Sequence, residues 1–431
     1  MVVEVMKKLG VEHHAEQLLD VKKRDTGFTA FQMLTSFVLL MIAGGDCLDD
    51  IRMLRDDKAL SALLGHELAS ADTMRRYLEL FHDAAAMKER PEDGAWIAPE
   101  SALLKGLGEL IMKLVHAVTL NEAEPVTTAT IDHDATVIEA HKKEARAHYK
   151  GGRGYQPAIA VWAETSLVLA DEFRDGNVPA GMSNLPLIAR AFAALPEGVT
   201  TRFFRADSAC YDEHVLKWLS DPSRDIGFAI SADMTRELRD ACSKLPNGAW
   251  SLYEERADVI LHVAEVEFTP GNWSKHAMPL RYIALRFSPR QGSLLQDGSS
   301  KKYFAIATNR KGPAADLVDW HRMKAGTVEH VHDITKNDLG AGVLPSGKFG
   351  ANAAWYRLTM LAHNVLVAMK RLVVPPDLKE ARPKRLRFRL FTLPAKVVAH
   401  ARGLVARIAA RLLDAADALA LRARTMSLRF A

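Results

Sequence analysis

The sequence predicts an α/β protein (α+β overall), in which a helical N-terminal domain precedes an α/β core that carries a mostly β insertion. Apolar residues recur at helical spacing through the first 120 residues, for example at Leu48 and Ile51. From about Pro125 the pattern changes to short alternating strands with helices between them. A third pattern, of short strand-like runs divided by turn residues, occupies residues 235–300.

These changes of pattern divide the chain into five segments. A chain of 431 residues is also longer than a single domain with one hydrophobic core usually is. The segments are a helical N-terminal domain (1–120), the first part of the core (121–234), the inserted β segment (235–300), the second part of the core (301–375) and a basic C-terminal region (376–431). Core strands are expected at 128–136, 156–163, 166–173, 201–207 and 303–308, and helices at 185–195, 214–219, 314–321, 328–336 and 351–372.

Composition is that of an ordinary globular chain, with 48% hydrophobic residues, 26% charged residues and a net charge of +4. The cations at residues 382–389 favour a polyanionic partner, although a solvated tail would look the same. Three scattered cysteines exclude a disulfide framework and a CxxC zinc site, which fits a reducing cytoplasm. Residues 26–45 are uncharged, and we expect a buried helix there rather than a membrane span.

The N-terminal domain contains a candidate helix-turn-helix. Ser70 is placed to cap a helix that bears Arg75 and Arg76, and two short helices precede it. A plain helical bundle with solvated arginines explains the same pattern at least as well.

Three acidic residues are candidates for metal chemistry. Asp134 and Asp207 each stand where a predicted strand ends, and Glu329 opens a predicted helix. Carboxylates in such positions can converge on a cleft beyond the sheet, and carboxylate oxygens are the ligands that Mg²⁺ prefers. Strand-end aspartates are more often turn or capping residues, so spacing alone favours that simpler interpretation.

Several longer sequence blocks favour the metal-ligand interpretation of these acidic residues. Residues 130–157 (TIDHDATVIEAHKKEARAHYKGGRGYQP), 204–219 (FRADSACYDEHVLKWL) and 326–366 (beginning GTVEHVHDITKNDLGAG) resemble the DDE transposases of bacterial insertion sequences. They are most similar to the 1380 insertion-sequence family, transposase DDE domain group 1. Residues 48–65 and 70–83 resemble the same family, so the similarity covers nearly the whole chain.

The resemblance implies an RNase H-like core and assigns residues to it. Asp134, in Asp134-Ala135-Thr136, matches the first catalytic aspartate, and Asp207 matches the second. Glu329 matches the glutamate of the Tyr-x2-Arg-x3-Glu-x6-Lys signature, with Lys336 as its lysine. The three carboxylates are then expected to hold two Mg²⁺ ions, which Mn²⁺ could replace, about 4 Å apart.

Two features leave alternatives open. Arg322 and Ala325 stand where the signature has tyrosine and arginine, so Arg322 or Lys324 could take over the DNA-backbone contact. Asp132 shares a strand face with Asp134 and could itself be the first ligand, although the Asp-x-Thr match favours Asp134.

Four further positions have a functional and a simpler interpretation. Lys150 and Arg153 flank a glycine pair that could cradle phosphate or form an ordinary turn. Trp273, or failing that Trp250, could stack on an extruded base, although core packing is the better interpretation for each alone. His330 and His332 do not share a helix face, so we do not expect them to be metal ligands.

The function implied by the resemblance is DNA transposition. The chain would bind the terminal inverted repeats of its own element as double-stranded DNA, which the N-terminal DNA-binding domain (1–120) and the basic C-terminus would hold largely through phosphates. It would act as a homodimer on paired ends, cut with Mg²⁺ and join the end to target DNA. It would work in the bacterial cytoplasm, at the nucleoid, without a membrane partner. The alternatives are a metal-dependent nuclease that does not rejoin DNA, and an inactive DNA-binding relic of a transposase.

Overall fold

The computed structural model describes residues 1–19, 27–271, 280–289, 301–392, 394–400, 403–408 and 415–430. The N-terminal segment is helical, as its periodicity predicts. Its helices are α1 (Val2–Lys8), α2 (Val11–Leu18), α3 (Ala30–Ala43), α4 (Ile51–Asp56), α5 (Lys58–Leu64), α6 (Ala71–Glu79) and α7 (Ala102–Leu120). Thr29, Ser70 and Ser101 cap three of them, each side chain accepting a backbone N–H of the first turn.

The core sheet has the connectivity of an RNase H-like fold. In chain order the core contains β1 (Thr128–Ala135), the short strands β2 (Ile138–Glu139), β3 (Arg146–Ala147) and β4 (Arg153–Tyr155), then β5 (Ala158–Trp162), β6 (Leu167–Glu172), α8 (Leu185–Ala193), β7 (Thr201–Ala206), α9 (Glu213–Leu219) and β8 (Ile226–Ser231). The strands lie in the order β6-β5-β1-β7-β8. Strands β6, β5 and β1 are antiparallel, whereas β1, β7 and β8 are parallel. The predicted fold class is therefore confirmed.

The segment after β8 enlarges the same sheet. It contains α10 (Arg236–Lys244), β9 (Ser251–Glu255), β10 (Val259–Val266) and β11 (Arg281–Pro289), and β12 (Lys302–Thr308) follows. β12 pairs antiparallel with β8, and β11, β10 and β9 continue outward to give a nine-stranded sheet. The inserted strands thus extend the core rather than forming a separate layer, which the sequence pattern did not predict.

Three helices complete the core. They are α11 (Ala314–Arg322), α12 (Val328–Asn337) and α13 (Phe349–Leu372). Almost every residue of α13 is buried, because it packs against α3, α6 and α7 on one side and β6 on the other. A helix that is apolar around most of its circumference is stable only in such a position.

The uncharged stretch at residues 26–45 is accounted for by α3, most of whose residues are buried. Among the described residues no single helix is long and apolar enough to cross a membrane. One bent pair, Ala30–Ala43 with Leu48–Asp56, reaches the length and composition together, at an angle of 96°.

Buried ion pairs join the helical domain to the core. Arg357 of α13 donates from Nε to Asp171 of β6 at 2.8 Å and from Nη2 to Glu100, just before α7, at 2.7 Å. Arg90 forms a second link, with Nη2 lying 2.7 Å from Oδ1 of Asp175. The helices and the sheet therefore share one hydrophobic core and are fixed by charge contacts across it.

The C-terminal region begins with α14 (Pro383–Leu386), which runs into a π-helical turn at Arg387–Phe391. A two-stranded hairpin follows, formed by β13 (Ala395–His400) and β14 (Gly403–Ile408). The last helix, α15 (Ala415–Ser427), buries Leu421 and Thr425.

Candidate active site

Asp134 is the penultimate residue of β1, at the edge where the parallel strands end. Its side chain is 18% exposed. Burial raises the pKa of its carboxyl, and the nearby ammonium of Lys324 lowers it in part. A carboxyl with these properties is costly to keep charged without a cation, as expected of a metal ligand before metal binds.

Asp132 lies two residues earlier on the same face but has a different partner. Its two carboxylate oxygens accept hydrogen bonds from Nε and Nη2 of Arg205 at 2.7 and 2.8 Å, and the hydroxyl of Thr327 donates to it as well. Asp132 is fully buried and Arg205 is 2% exposed. The oxygens of Asp132 are therefore committed to this ion pair, whereas Asp134 is the aspartate of the two whose side chain is partly exposed.

Asp207 follows β7 directly and caps the short helical turn Ser208–Cys210, accepting the backbone N–H of Ala209 at 3.1 Å. β7 pairs with β1 in parallel register, with Asp132 opposite Arg205, so continuing the register brings Asp207 beside Asp134. Burial raises the pKa of Asp207; Lys324 lowers it and the charge of Asp134 raises it. The two aspartates thus form an acidic pair at neighbouring strand ends.

Lys324 supplies the cation for this pair. Its Nζ lies 3.5 Å from Oδ1 of Asp134, and the residue is 8% exposed. It lies in the turn between α11 and α12, next to the helix that carries Glu329. A buried ammonium is stable only beside negative charge, and Lys324 lowers the pKa of both Asp134 and Asp207.

One face of α12 is directed at this end of the sheet. His332 places Nε2 3.8 Å from Oδ2 of Asp134, beyond hydrogen-bond length, and Lys336 donates to the carbonyl of Val137 at 2.8 Å. Glu329 is three residues before His332 and therefore lies on the same face, one turn nearer the start of the helix. Burial, with Lys336 nearby, lowers the pKa of His332 to about 3, so its ring is neutral.

The three predicted ligands are brought to one end of the core but not into one tight group. Glu329 is exposed at the first turn of α12. Within the described part of the chain, Asp134, Asp207 and Glu329 do not have their ligand atoms all within 4.8 Å of one another. The acidic pair itself offers carboxylate oxygens, which fit a hard divalent cation such as Mg²⁺, although the imidazole nitrogen of His332 lies 3.8 Å from Asp134.

The other candidate DNA contacts are placed as follows. Arg322 pairs with Glu254 at 3.2 Å and lies over the ring of Tyr253 at 4.9 Å, so β9 holds its charge. Arg75 and Arg76 are on the exposed side of α6, and both contact Asp72. The face of α6 that includes Tyr77 is buried, which matches a helical bundle as well as a helix-turn-helix.

The glycine-rich loop forms the turn between β3 and β4. Gly151 adopts a φ of +91°, and Arg153 donates to the carbonyls of Ala145 and Lys143, so its guanidinium closes the turn. Lys150 remains exposed, with Nζ 5.7 Å from the centre of the Tyr149 ring. An ordinary turn explains the glycines, and of the two cations Lys150 is the one open to a ligand.

The tryptophans of the inserted segment differ in what the structure shows. Trp250 is 7% exposed and packs in an apolar cluster with Leu238 and Tyr282, with Arg286 over its ring at 4.6 Å. Core packing therefore accounts for Trp250. Trp273 lies outside the described residues.

Comparison with known families identifies the chain. Residues 1–426 match the family described as transposase DDE domain group 1. The protein belongs to this transposase family. The prediction of a group 1 DDE transposase is confirmed, whereas the narrower prediction of the 1380 insertion-sequence family stays a prediction. The match includes the N-terminal helices and most of the C-terminal region of the transposase.

A solved structure with a similar arrangement is the piggyBac transposase synaptic complex with hairpin DNA, determined by cryo-electron microscopy. Its TM-score is 0.48 and its sequence identity 11%, over 89% of this transposase and 78% of that chain. No curated protein matches the sequence.

Sequence reasoning missed two residues near the acidic pair. His332 was set aside because His330 is on another face, yet its spacing of three from Glu329 and four from Lys336 places it on their face. Arg205 was not singled out, although it stands two residues before Asp207 at the end of β7, as Asp132 stands two residues before Asp134 at the end of β1. Equal alternation on two neighbouring strands is the signal that predicts the Arg205–Asp132 pair.

Proposed function

We propose that this transposase binds the terminal inverted repeats of its insertion sequence and catalyses Mg²⁺-dependent cleavage and strand transfer of DNA. The observation that carries the proposal is the acidic pair of Asp134 and Asp207 at adjacent strand ends, with the buried Lys324 ammonium beside it. A buried pair of like charges is costly unless a cation is part of its working state.

Asp134, Asp207 and Glu329 are the residues that would hold the ions, two Mg²⁺ with Mn²⁺ as a possible replacement. Ions bound there would stabilise the attacking and leaving oxygens of an in-line phosphoryl displacement. Glu329 is exposed at the first turn of α12, on the helix face that also carries His332, and would complete the ligand set from there. Asp132 and Arg205 keep the end of β1 rigid through a buried two-bond contact, which fixes the position of Asp134.

The DNA partners are transposon ends and target DNA, bound by a homodimer in the bacterial cytoplasm. The exposed Lys150 on its loop and the half-buried Lys336 on α12 would neutralise the phosphates next to the cleaved bond. Burial lowers the pKa of Lys336, and the positive charge of the nearby Lys150 lowers it further. An anion bound between the two lysines would relieve this repulsion.

Mapping of 3′ ends tests the proposal directly. The protein, Mg²⁺ and the DNA that flanks its own gene are incubated, and the new 3′ ends are located at nucleotide resolution. Cleavage at the inverted-repeat boundaries supports the proposal, whereas cuts without positional preference would identify a nuclease.

Strand transfer separates the remaining alternatives. A pre-cut transposon end is supplied with a target plasmid, and joined products are measured. Cleavage without joining indicates the nuclease, and binding with neither product indicates an inactive relic of a transposase.

A further inference from the structure

The region after α13 holds an unusual concentration of positive charge. Residues 382–408 contain eight lysines and arginines and no aspartate or glutamate. We call this segment, which comprises α14, the π-helical turn and the β13–β14 hairpin, the basic arm. A surface of this kind is stable next to a polyanion or in water, but not against a second positive surface.

The basic arm is attached to the helix that carries Glu329. Arg382 pairs with Asp333 of α12 at 2.6 Å and with Asp338, just after it, at 2.9 Å. Arg387 donates to the carbonyl of Asp338 at 3.2 Å. These contacts use two of the arm's cations to hold it at the C-terminal end of α12, beside the candidate active site.

The other described cations of the arm are left for a partner. Lys384 and Arg385 are exposed on α14, between the two anchoring arginines, and Arg389 is exposed on the π-helical turn before the hairpin. Lys396 and Arg407 are exposed on the hairpin. None of these five forms an ion pair with any residue that the structure describes.

The hairpin itself places like charges together. Lys396 of β13 is directly opposite Arg407 of β14, so both side chains project from the same face. Directly opposed like charges destabilise a strand pair, and an isolated two-stranded hairpin is at best marginally stable. Val405 on that face is 44% exposed and Leu404 on the other is 47% exposed. Such a hairpin gains stability when an anion lies between its two cations.

We infer that the basic arm is a DNA-backbone-binding element, whose occupant is the duplex DNA that adjoins the strand entering the active site. The inference rests on the proposed function for the identity of that DNA. A two-stranded ribbon fits the major groove, and its opposed cations match the phosphates at the groove edge. A second copy of the chain fits less well, because a symmetric contact would bring the same positive surface against itself.

The salt dependence of binding to duplex DNA tests this inference without any cleavage step. Fluorescence anisotropy with a labelled duplex is measured over a range of salt concentrations for the full chain, Lys396→Gln/Arg407→Gln and Lys384→Gln/Arg385→Gln/Arg389→Gln. Binding weakens as salt rises, so the slope of log K against log salt is negative, and each lost phosphate contact reduces its magnitude by about 1. We expect a decrease of about 2 for the hairpin variant and about 3 for the other.

Two controls make the result specific. Arg236→Gln/Arg256→Gln removes the same charge as the hairpin variant from exposed cations outside the candidate helix-turn-helix that already contact Asp240 and Glu254, and should leave the slope unchanged. Lys396→Arg/Arg407→Lys keeps the charge and should retain the slope. Unchanged slopes in both arm variants would overturn the inference. If the wild-type protein cleaves transposon ends normally, the proposed function would still stand. A change of oligomeric state with an unchanged slope would assign the surface to a second copy of the chain and equally overturn the inference.

Discussion

Lys324 holds its ammonium nitrogen 3.5 Å from Oδ1 of Asp134, with only 11% of the lysine side chain exposed. The same charge lowers the pKa of Asp207, so one lysine serves both strand-end aspartates. We propose that a cation bound by the pair would take the place of this ammonium. Lysine and a divalent metal ion compensate the same charges and should compete for them.

Replacing Lys324 should make the fold more dependent on divalent metal. In Lys324→Gln the buried aspartates lose their cation, so we expect the melting temperature without metal to fall by roughly 2–4 °C. Added Mg²⁺ or Mn²⁺ should raise it by more than in the wild-type chain. Lys348→Gln, which removes an exposed lysine paired with Glu79, is the matched control. Equal metal-induced shifts in all three proteins would show that Lys324 does not occupy the metal position.

Asp207→Asn should abolish cleavage and leave DNA binding nearly unchanged. The amide keeps the size of the side chain and its cap to Ala209, but it loses the charge that a hard cation requires. Cleavage is measured on labelled transposon ends and binding by anisotropy. Asp212→Asn, the same substitution at the exposed cap of α9, should retain cleavage. Near-normal cutting by the Asp207 variant would remove it from the ligand set.

Asp132 and Asp134 should respond differently to the same substitution. Asp132→Asn leaves the buried Arg205 without its carboxylate and should lower the free energy of unfolding by about 3 kcal/mol. Asp134→Asn should change it by less than about 1 kcal/mol, because a carboxyl of raised pKa is not stabilised by its charge. Urea unfolding measures both. The reverse order of effects would make Asp132 the first metal ligand.

Glu100 should contribute to stability in a definite pH window. Burial alone would raise its pKa, but Arg357 and Arg190 outweigh burial and lower it from 4.5 to about 2. The folded-state pKa is below the unfolded one, so the stabilisation is complete above about pH 4.5 and is lost as the pH falls toward 2. The difference in unfolding free energy between wild type and Glu100→Gln should shrink over that window. A difference independent of pH would contradict the assignment.

The two tryptophans of the inserted segment should separate packing from DNA contact. Trp250→Ala should cost about 3–5 kcal/mol of stability, because the side chain is in the apolar cluster beside β11. Trp273→Ala, at the residue we propose stacks on an extruded base, should spare the first nick and slow later steps. Stacking of this kind contributes roughly 1–3 kcal/mol per base. Time courses of nicked and joined products distinguish a base-stacking role from a packing role. Normal kinetics in Trp273→Ala would show that Trp273 does not contact DNA.

Much of the fold could be read from local pattern. The strand predicted at 201–207 is β7, the helix at 185–195 contains α8, and the helix at 351–372 is the larger part of α13. These elements are set by side-chain periodicity and burial, which are properties of neighbouring residues. The joining of the inserted strands to the core sheet was not predicted, because pairing between β8 and β12 connects residues far apart in the chain.

By itself the sequence determined the family, the order of strands and helices, and the positions of Asp134, Asp207 and Glu329 relative to them. Tertiary structure decided which aspartate on β1 forms a buried ion pair, because Arg205 reaches Asp132 from the next strand. It also decided that Lys324 faces Asp134, and that Arg322 is held by Glu254. The physical reason is that charge partners are chosen by distance in space, and strands β1, β7 and β9 meet the end of α11 only once the sheet has formed.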